Sequence, residues 1–127
     1  VTEVKVDGVF LDKEFINAHT ILWAAGVQPA TIGKKLRVPV DRIGRVIVEK
    51  DLSIASHPDV FVIGDQACFT NDDGSTLPGL APVAMQQGRA VAKNIRARVA
   101  EKPLKPFVYK DKGMMATIGR SRAIMEY

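Results

Sequence analysis

The chain has 127 residues, of which 46% are hydrophobic and 25% are charged, so its length and composition are those of one ordinary globular domain. A single cysteine, Cys68, excludes a disulfide within the chain and a Cys-x-x-Cys redox pair, and no apolar run approaches the roughly 20 residues that span a bilayer. The net charge of +4 has its excess late in the chain: residues 89–112 hold eight Lys or Arg against two acidic residues, which is typical of a solvated helix face but also compatible with an anionic partner.

The first part of the chain predicts a hairpin and a buried strand. Apolar residues alternate over residues 4–11 on either side of Asp7-Gly8, which predicts a β-hairpin whose two turn residues have positive φ. Residues 20–25 are apolar at successive positions, and such a run predicts a strand that is covered on both faces.

The middle of the chain predicts two more short strands and a loop. Residues 45–48 form the first of these strands. Residues 60–63 are aromatic or β-branched and predict a compact buried strand, which Gly64-Asp65 ends abruptly. Residues 70–75 are polar and predict a loop.

The last part of the chain predicts the main helix and a second hairpin. From Pro82 the apolar residues recur at helical spacing, and Lys102-Pro103 ends the helix. After a short extended stretch, residues 114–118 and 122–127 predict two strands that turn at residues 119–121.

These elements predict a strand-rich α/β chain with one main helix. One helix cannot cover both faces of all the strands, so the buried-looking runs at residues 20–25 and 60–63 imply packing partners outside the chain. The chain also begins at Val1 without a methionine. We therefore expect it to be part of a longer protein.

Two adjacent features predict a ligand site. Asp65 follows the end of a strand, where ligands gather in open α/β sheets, and Gly64 lets a ligand approach the backbone closely. The helix that begins near Pro82 offers unpaired N–H groups and a partial positive charge to an anionic ligand group. By themselves, a turn-capping aspartate and an ordinary helix start explain these residues equally well.

Polar side chains near the helix give weaker signals. Gln86 and Gln87 lie in its first turns and can donate and accept hydrogen bonds, although exposed glutamines on helices are common. His19 and His57 lack ligand spacing, so no metal site is predicted. The sequence contains no G-x-G-x-x-G fingerprint and no P-loop, so the chain by itself lacks the usual loop that cradles a dinucleotide.

Four stretches of the chain, in order, resemble the type II NADH dehydrogenases. These enzymes are FAD-dependent NADH:quinone oxidoreductases within the pyridine nucleotide-disulfide oxidoreductase-like flavoproteins, which have two dinucleotide-binding domains. The stretches are residues 21–29 (ILWAAGVQP), 60–65 (VFVIGD), 80–89 (LAPVAMQQGR) and 112–120 (KGMMATIGR). The first two are shared by many flavoprotein reductases, and the last two are more specific to the NADH:quinone branch.

The resemblance implies a domain division and a role for each site residue. Residues 1–29 would end the NADH-binding domain, residues 30–102 would return to the FAD-binding domain, and residues 103–127 would begin a C-terminal segment near the quinone pocket. The implied cofactor-binding residues are Gly64, Asp65 on the ribityl chain, Pro82 and Val83 at the pyrimidine ring, and Lys112. The implied quinone-binding residues are Gln86 and Lys112, and no side chain is a catalytic nucleophile.

One position departs from the family pattern. Gln86 matches the last residue of the Ala-Gln-x-Ala-x-Gln quinone motif, but Pro82 stands where the motif has its first Gln. The resemblance implies NADH and quinone as substrates, FAD as cofactor, and a peripheral position on the cytoplasmic side of the inner or plasma membrane. We expect the chain alone to be inactive, a homodimer to form, and nucleic acid not to be bound.

Two alternative functions stay open. The first is another flavin reductase of the same superfamily with a different electron acceptor, although sulfide oxidation would need redox cysteines. The second is a non-enzymatic basic binding module, which the Lys/Arg excess of residues 89–112 favours. Few aromatic residues accompany that stretch, so no base-stacking platform is predicted.

Overall fold

The computed structural model describes residues 1–126. It begins with a three-stranded antiparallel sheet of β1 (Glu3–Lys5), β2 (Gly8–Leu11) and β3 (Glu14–Asn17). The predicted hairpin is confirmed, but its turn lies one residue earlier, because Lys5 pairs with Gly8. The prediction of positive φ at Asp7 and Gly8 is wrong. Gly8 is needed instead for close approach, since a Cβ there would collide with the carbonyl oxygen of Ile16 on β3.

The predicted buried strand at residues 20–25 is absent. The backbone of residues 20–30 forms neither helix nor strand, and Leu22 and Trp23 are 90% and 68% exposed. A strand that is buried on both faces needs a hydrogen-bonding neighbour and a packing layer on each side. Residues 1–126 provide neither for this run, and its apolar side chains therefore stay in solvent.

The centre of the chain consists of short elements around one long helix. They are α1 (Ile32–Lys35), β4 (Val46–Ile47), β5 (Ser53–Ile54), β6 (His57–Phe61), a 3-10 helix (Gly64–Gln66), β7 (Ala67–Cys68) and α2 (Ala81–Val99). β4 pairs with β7 in parallel, and β5 pairs with β6 antiparallel. The strand predicted at residues 45–48 is confirmed for Val46 and Ile47, and the predicted helix is confirmed but begins at Ala81, one residue before Pro82.

The strand predicted at residues 60–63 is only partly correct. β6 begins at His57 and ends at Phe61, so Val62 and Ile63 lie beyond it. Val60 is 42% exposed and Ile63 is 38% exposed, so the expected burial is wrong. β6 has one strand partner, the two-residue β5, and this small pairing cannot enclose the apolar run.

The core lies between α2 and the short central strands. Its largest fully buried apolar side chains are Leu52, Ile54 and Val46, and Phe69 meets Phe107 edge-on with ring centroids 5.2 Å apart. The residues of α2 that face this core recur at spacings of three and four, as an amphipathic helix requires. They are Val83, Gln87, Val91 and Asn94.

The chain ends in the second predicted hairpin, which is confirmed. β8 (Met114–Ile118) pairs antiparallel with β9 (Arg122–Glu126), and the last residue of the predicted strand, Tyr127, lies outside the described residues. Within residues 1–126, no helix is both long enough and apolar enough to cross a membrane. The strand-rich α/β class with one main helix is therefore observed. The wider two-domain context and the boundaries at residues 29/30 and 102/103 stay predictions.

Candidate functional site

Gly64 and Asp65 form a sharp turn just after β6. Gly64 has a φ of +64°, a left-handed conformation that favours glycine, and begins the 3-10 helix. A Cβ on Gly64 would lie 3.4 Å from the Cβ of Ala84, so the turn is packed directly against α2. Asp65 follows with an exposed side chain. The turn therefore presents a carboxylate beside the long helix.

Gly79 leaves room around this carboxylate. A Cβ at Gly79 would stand 3.0 Å from Oδ1 of Asp65, which is tighter than ordinary van der Waals contact. Asp65 forms no hydrogen bond through its side chain to any residue in the described part of the chain. Its oxygens are thus free to accept hydrogen bonds from ligand hydroxyl groups.

The amino end of α2 completes the same corner. Leu80, the residue before the helix, is extended and no side chain caps the helix start, which has Pro82 in its first turn. The first turn carries no acidic residue. The side chain of Val83 is buried in the core, so only its backbone can face a ligand. The unpaired N–H groups and the helix dipole here favour an anionic group.

Gln86 is joined to the segment that precedes β8. Its Nε2 donates to the carbonyl oxygen of Lys110 at 2.9 Å, and its Oε1 accepts from the backbone N–H of Lys110 at 3.0 Å. A side-chain amide has a second N–H and a second lone pair, so Gln86 retains one donor and one acceptor for a ligand. Lys112, two residues further on, is exposed.

The structure thus brings four of the six predicted site residues to one corner. The other two, Gln86 and Lys112, do not contact each other directly. Gly64, Asp65, Pro82 and Val83 meet at the start of α2, whereas Gln86 is linked to Lys112 only through the backbone of residue 110.

One buried contact at this corner, made by Gln87, was not predicted from the sequence. Its Oε1 accepts a hydrogen bond from the backbone N–H of Gly64 at 2.7 Å, and its side chain is 1% exposed. The spacing of four between Val83, Gln87 and Val91 could have placed it on the buried face of the helix. Its partner, 23 residues away in the sequence, could not have been predicted.

Cys68, the only cysteine of the chain, is on β7 and has no redox partner. It is buried beneath Arg45, and burial raises the pKa of its thiol above the ordinary value. Among residues 1–126, no group of three His, Cys, Asp or Glu side chains is arranged to hold a metal ion. The corner at Asp65 is therefore the best-supported ligand site in this part of the chain.

A basic groove of about 700 Å³ runs between α2 and residues 102–110. Asn94 holds the two walls together, because its side-chain amide donates to the carbonyl of Lys105 at 2.9 Å and accepts from its N–H at 3.0 Å. The floor is apolar and includes Ala90, Ala97 and Leu104. Five cations line the groove, and none of them is in an ion pair with another described residue: Arg89, Lys93, Lys102, Lys105 and Lys110.

The part of the chain that contains this corner matches a known protein family. The profile of the pyridine nucleotide-disulphide oxidoreductases matches residues 1–88, which include the Gly64-Asp65 turn and the start of α2. The chain belongs to this family. The prediction from the four sequence stretches is therefore confirmed at the level of the family.

Several curated relatives are similar to this chain over most of its length. They include the proteins named type II NADH:quinone oxidoreductase from Staphylococcus aureus strains NCTC 8325, COL and N315, each 38% identical over 117 residues. The similar region covers 91% of this chain but 28% of each relative. The chain therefore spans little more than a quarter of the length of the relatives it matches.

Proposed function

We propose that this chain carries part of the FAD site and part of the quinone site of a type II NADH:quinone oxidoreductase. Its oxidoreductase family and its similarity to proteins of that name support the reaction class. The observation that carries the proposal is the corner at the start of α2, where the free Asp65 carboxylate lies beside Gly79 and an uncapped helix end.

The residues at this corner fit a flavin dinucleotide. The hydroxyl-rich ribityl chain needs hydrogen-bond acceptors, and Asp65 offers two unengaged carboxylate oxygens. Gly79 keeps a Cβ atom away from this carboxylate, and Gly64 allows the positive φ of the turn that precedes it. The helix start at Pro82 and Val83 would face the pyrimidine edge, where the helix dipole stabilises negative charge. When bound, the flavin supplies the two-electron chemistry between NADH and acceptor.

The quinone is proposed to bind beside Gln86 and Lys112. Gln86 can hold the backbone of Lys110 and still offer its second N–H to a quinone carbonyl. Lys112 would add a positive charge near the flavin. Because Pro82 replaces a glutamine of the family motif, Gln86 is the remaining amide of that motif in this chain.

The proposed function includes two partners, a membrane surface and a second copy of the protein. The five unpaired cations of the basic groove support contact with an anionic membrane surface, on the cytoplasmic side of the inner or plasma membrane. A homodimer would cover apolar surface that residues 1–126 leave exposed. The chain alone is proposed to be inactive, because its sequence lacks a dinucleotide fingerprint.

The test uses the longer protein that carries this chain, purified with its flavin and assayed for NADH oxidation with a soluble quinone. We expect Asp65→Ala to lose flavin during purification. We expect Gln86→Ala to keep flavin but to lose roughly tenfold or more in quinone-dependent kcat/KM, which corresponds to about 1.4 kcal/mol of transition-state stabilisation.

A matched control is Asn17→Ala, an exposed amide on β3 outside the proposed flavin and quinone sites, which should leave the quinone kinetics unchanged. Flavin binding without quinone reduction would keep the superfamily and reject the acceptor, in favour of another flavin reductase. Absence of flavin from the wild-type protein would reject the whole proposal and favour the basic binding module.

A further inference from the structure

Gln87 is one of two polar residues of α2 that are almost completely buried, the other being Asn94. The Gln87 side chain is 1% exposed, and glutamine is rarely found so deep in a protein. Burying an amide is unfavourable unless it is hydrogen-bonded. The bond that its Oε1 accepts from Gly64, 2.7 Å long, meets this need and joins the helix to the turn after β6.

The bond is made to Gly64, the residue whose positive φ produces the turn. Gly64 has positive φ and begins the 3-10 helix, where Ile63 provides no side-chain cap. Its N–H would be one of the unpaired groups of a helix start, and Gln87 caps it from a different element. Ala84, one turn earlier on α2, packs against the same glycine. Two residues of one helix, Ala84 and Gln87, therefore contact the Gly64 residue.

Asp65 depends on the Gly64 peptide for its position. No hydrogen bond within residues 1–126 holds the Asp65 side chain itself, so the backbone of the preceding residue determines where the carboxylate lies over Gly79. We propose that Gln87 is a positioning residue for the flavin site, which fixes the Gly64 peptide so that Asp65 is preorganised for the ribityl hydroxyl groups. This inference rests on the proposed function and concerns a residue to which the family resemblance assigns no role.

The two adjacent glutamines then have separate tasks. Gln87 holds the turn that carries Asp65, and Gln86 holds Lys110 ahead of Lys112. Because both are amides on neighbouring positions of one helix, each is a matched control for the other. Loss of Gln87 should affect flavin affinity, and loss of Gln86 should affect the quinone KM and kcat.

The experiment reconstitutes the full-length apoprotein with FAD and measures the dissociation constant from flavin fluorescence. Gln87→Met keeps the length and apolar fit of the side chain but removes the acceptor. We expect the FAD dissociation constant to rise about 3- to 10-fold, the range of one ordinary hydrogen bond. Gln86→Met should change it less than twofold.

A double-mutant cycle separates positioning from general destabilisation. If Gln87 acts through Asp65, Gln87→Met should have little further effect on FAD affinity in an Asp65→Asn background. Equal effects of Gln87→Met in both backgrounds, or unchanged FAD affinity in the single variant, would overturn the inference. Should the Met variant fail to fold, Gln87→Asn keeps a neutral amide but draws the acceptor oxygen back from Gly64 by one methylene. The same rise of about 3- to 10-fold in the FAD dissociation constant is then expected, and an unchanged constant contradicts the role.

Failure of this inference is distinguishable from failure of the proposed function. Wild-type protein that binds FAD and reduces quinone, with a Gln87→Met variant of equal FAD affinity, rejects only the positioning role. Wild-type protein that binds no FAD rejects the site itself.

Discussion

At the scale of single residues, two glycines set the backbone geometry around Asp65. Gly64 precedes Asp65 and gives the turn its positive φ, and Gly79 lies against the carboxylate, where a Cβ would come within 3.0 Å of Oδ1. Replacement of Gly64 by any L-residue would place a side chain in a rarely adopted conformation. These glycines therefore leave the space that the proposed role of Asp65 in ligand binding requires.

Asp41 and Arg45 show a second residue-scale effect, which is electrostatic. Burial by itself would raise the pKa of Asp41, but the hydrogen bonds and charge of Arg45, whose Nε lies 2.7 Å from Oδ2, hold this pKa below its ordinary value of 3.8. A carboxylate with a lowered folded pKa contributes stability above its unfolded pKa, and that contribution is lost as the pH falls through the folded pKa.

We accordingly expect Asp41→Asn to lower the free energy of unfolding at neutral pH by about 1–2 kcal/mol. The difference between wild type and variant should stay constant down to about pH 5 and shrink below about pH 4. Urea unfolding at several pH values measures it. Asp12→Asn in the exposed turn before β3 is the control, and a difference that grows toward acid pH would refute the assignment.

At the scale of elements, α2 organises the candidate site. One face packs Val83 and Val91 into the core, its amino end lies beside Asp65, and a further face forms the basic groove with residues 102–110. The apolar spacing predicted this helix because helical periodicity is a local property of the sequence. Its start was predicted to within one residue, whereas it ends at Val99, before the predicted stop at Lys102-Pro103. The strand at residues 60–63 was misplaced because the limits of a strand depend on its pairing partner, β5.

The groove gives a prediction at this scale. We expect Lys93→Glu/Lys105→Glu in the full-length protein to weaken binding to vesicles that contain anionic phospholipid by roughly tenfold or more, since each basic residue near such a surface contributes about 1 kcal/mol. Lys13→Glu/Lys35→Glu makes the same charge change elsewhere and should have little effect. Vesicle cosedimentation measures both variants, and equal losses would show that only net charge matters.

At the scale of the whole molecule, the exposed apolar run at residues 20–25 is the main departure from the sequence prediction. Leu22 and Trp23 stand in solvent, although successive apolar residues are typical of a strand inside a parallel sheet. The relatives are more than three times as long as the matched region, which supports a sheet completed by other parts of a longer protein.

The fluorescence of Trp23 tests whether residues 20–25 are buried in the longer protein. In the chain alone we expect its fluorescence to be red-shifted and readily quenched by acrylamide, because 68% of the residue is exposed. In the full-length protein we expect a blue-shifted emission with at least twofold weaker quenching, isolated as the difference between wild type and Trp23→Phe. Equal quenching in both contexts would mean that the run is not a strand of a larger sheet.

The sequence by itself determined what is local or patterned: both hairpins, the long helix, the Gly64-Asp65 turn and the family. Each depends on spacing within a few residues or on short motifs that keep their order along the chain. Only the tertiary structure decided that Gly79 approaches Asp65, that Gln87 holds Gly64 and that Gln86 holds Lys110. These contacts join residues 14 to 24 positions apart, and no local preference specifies which distant backbone group a side chain will meet. The tertiary structure also decided which apolar runs are buried, because an apolar segment is removed from water only where another part of the protein packs against it.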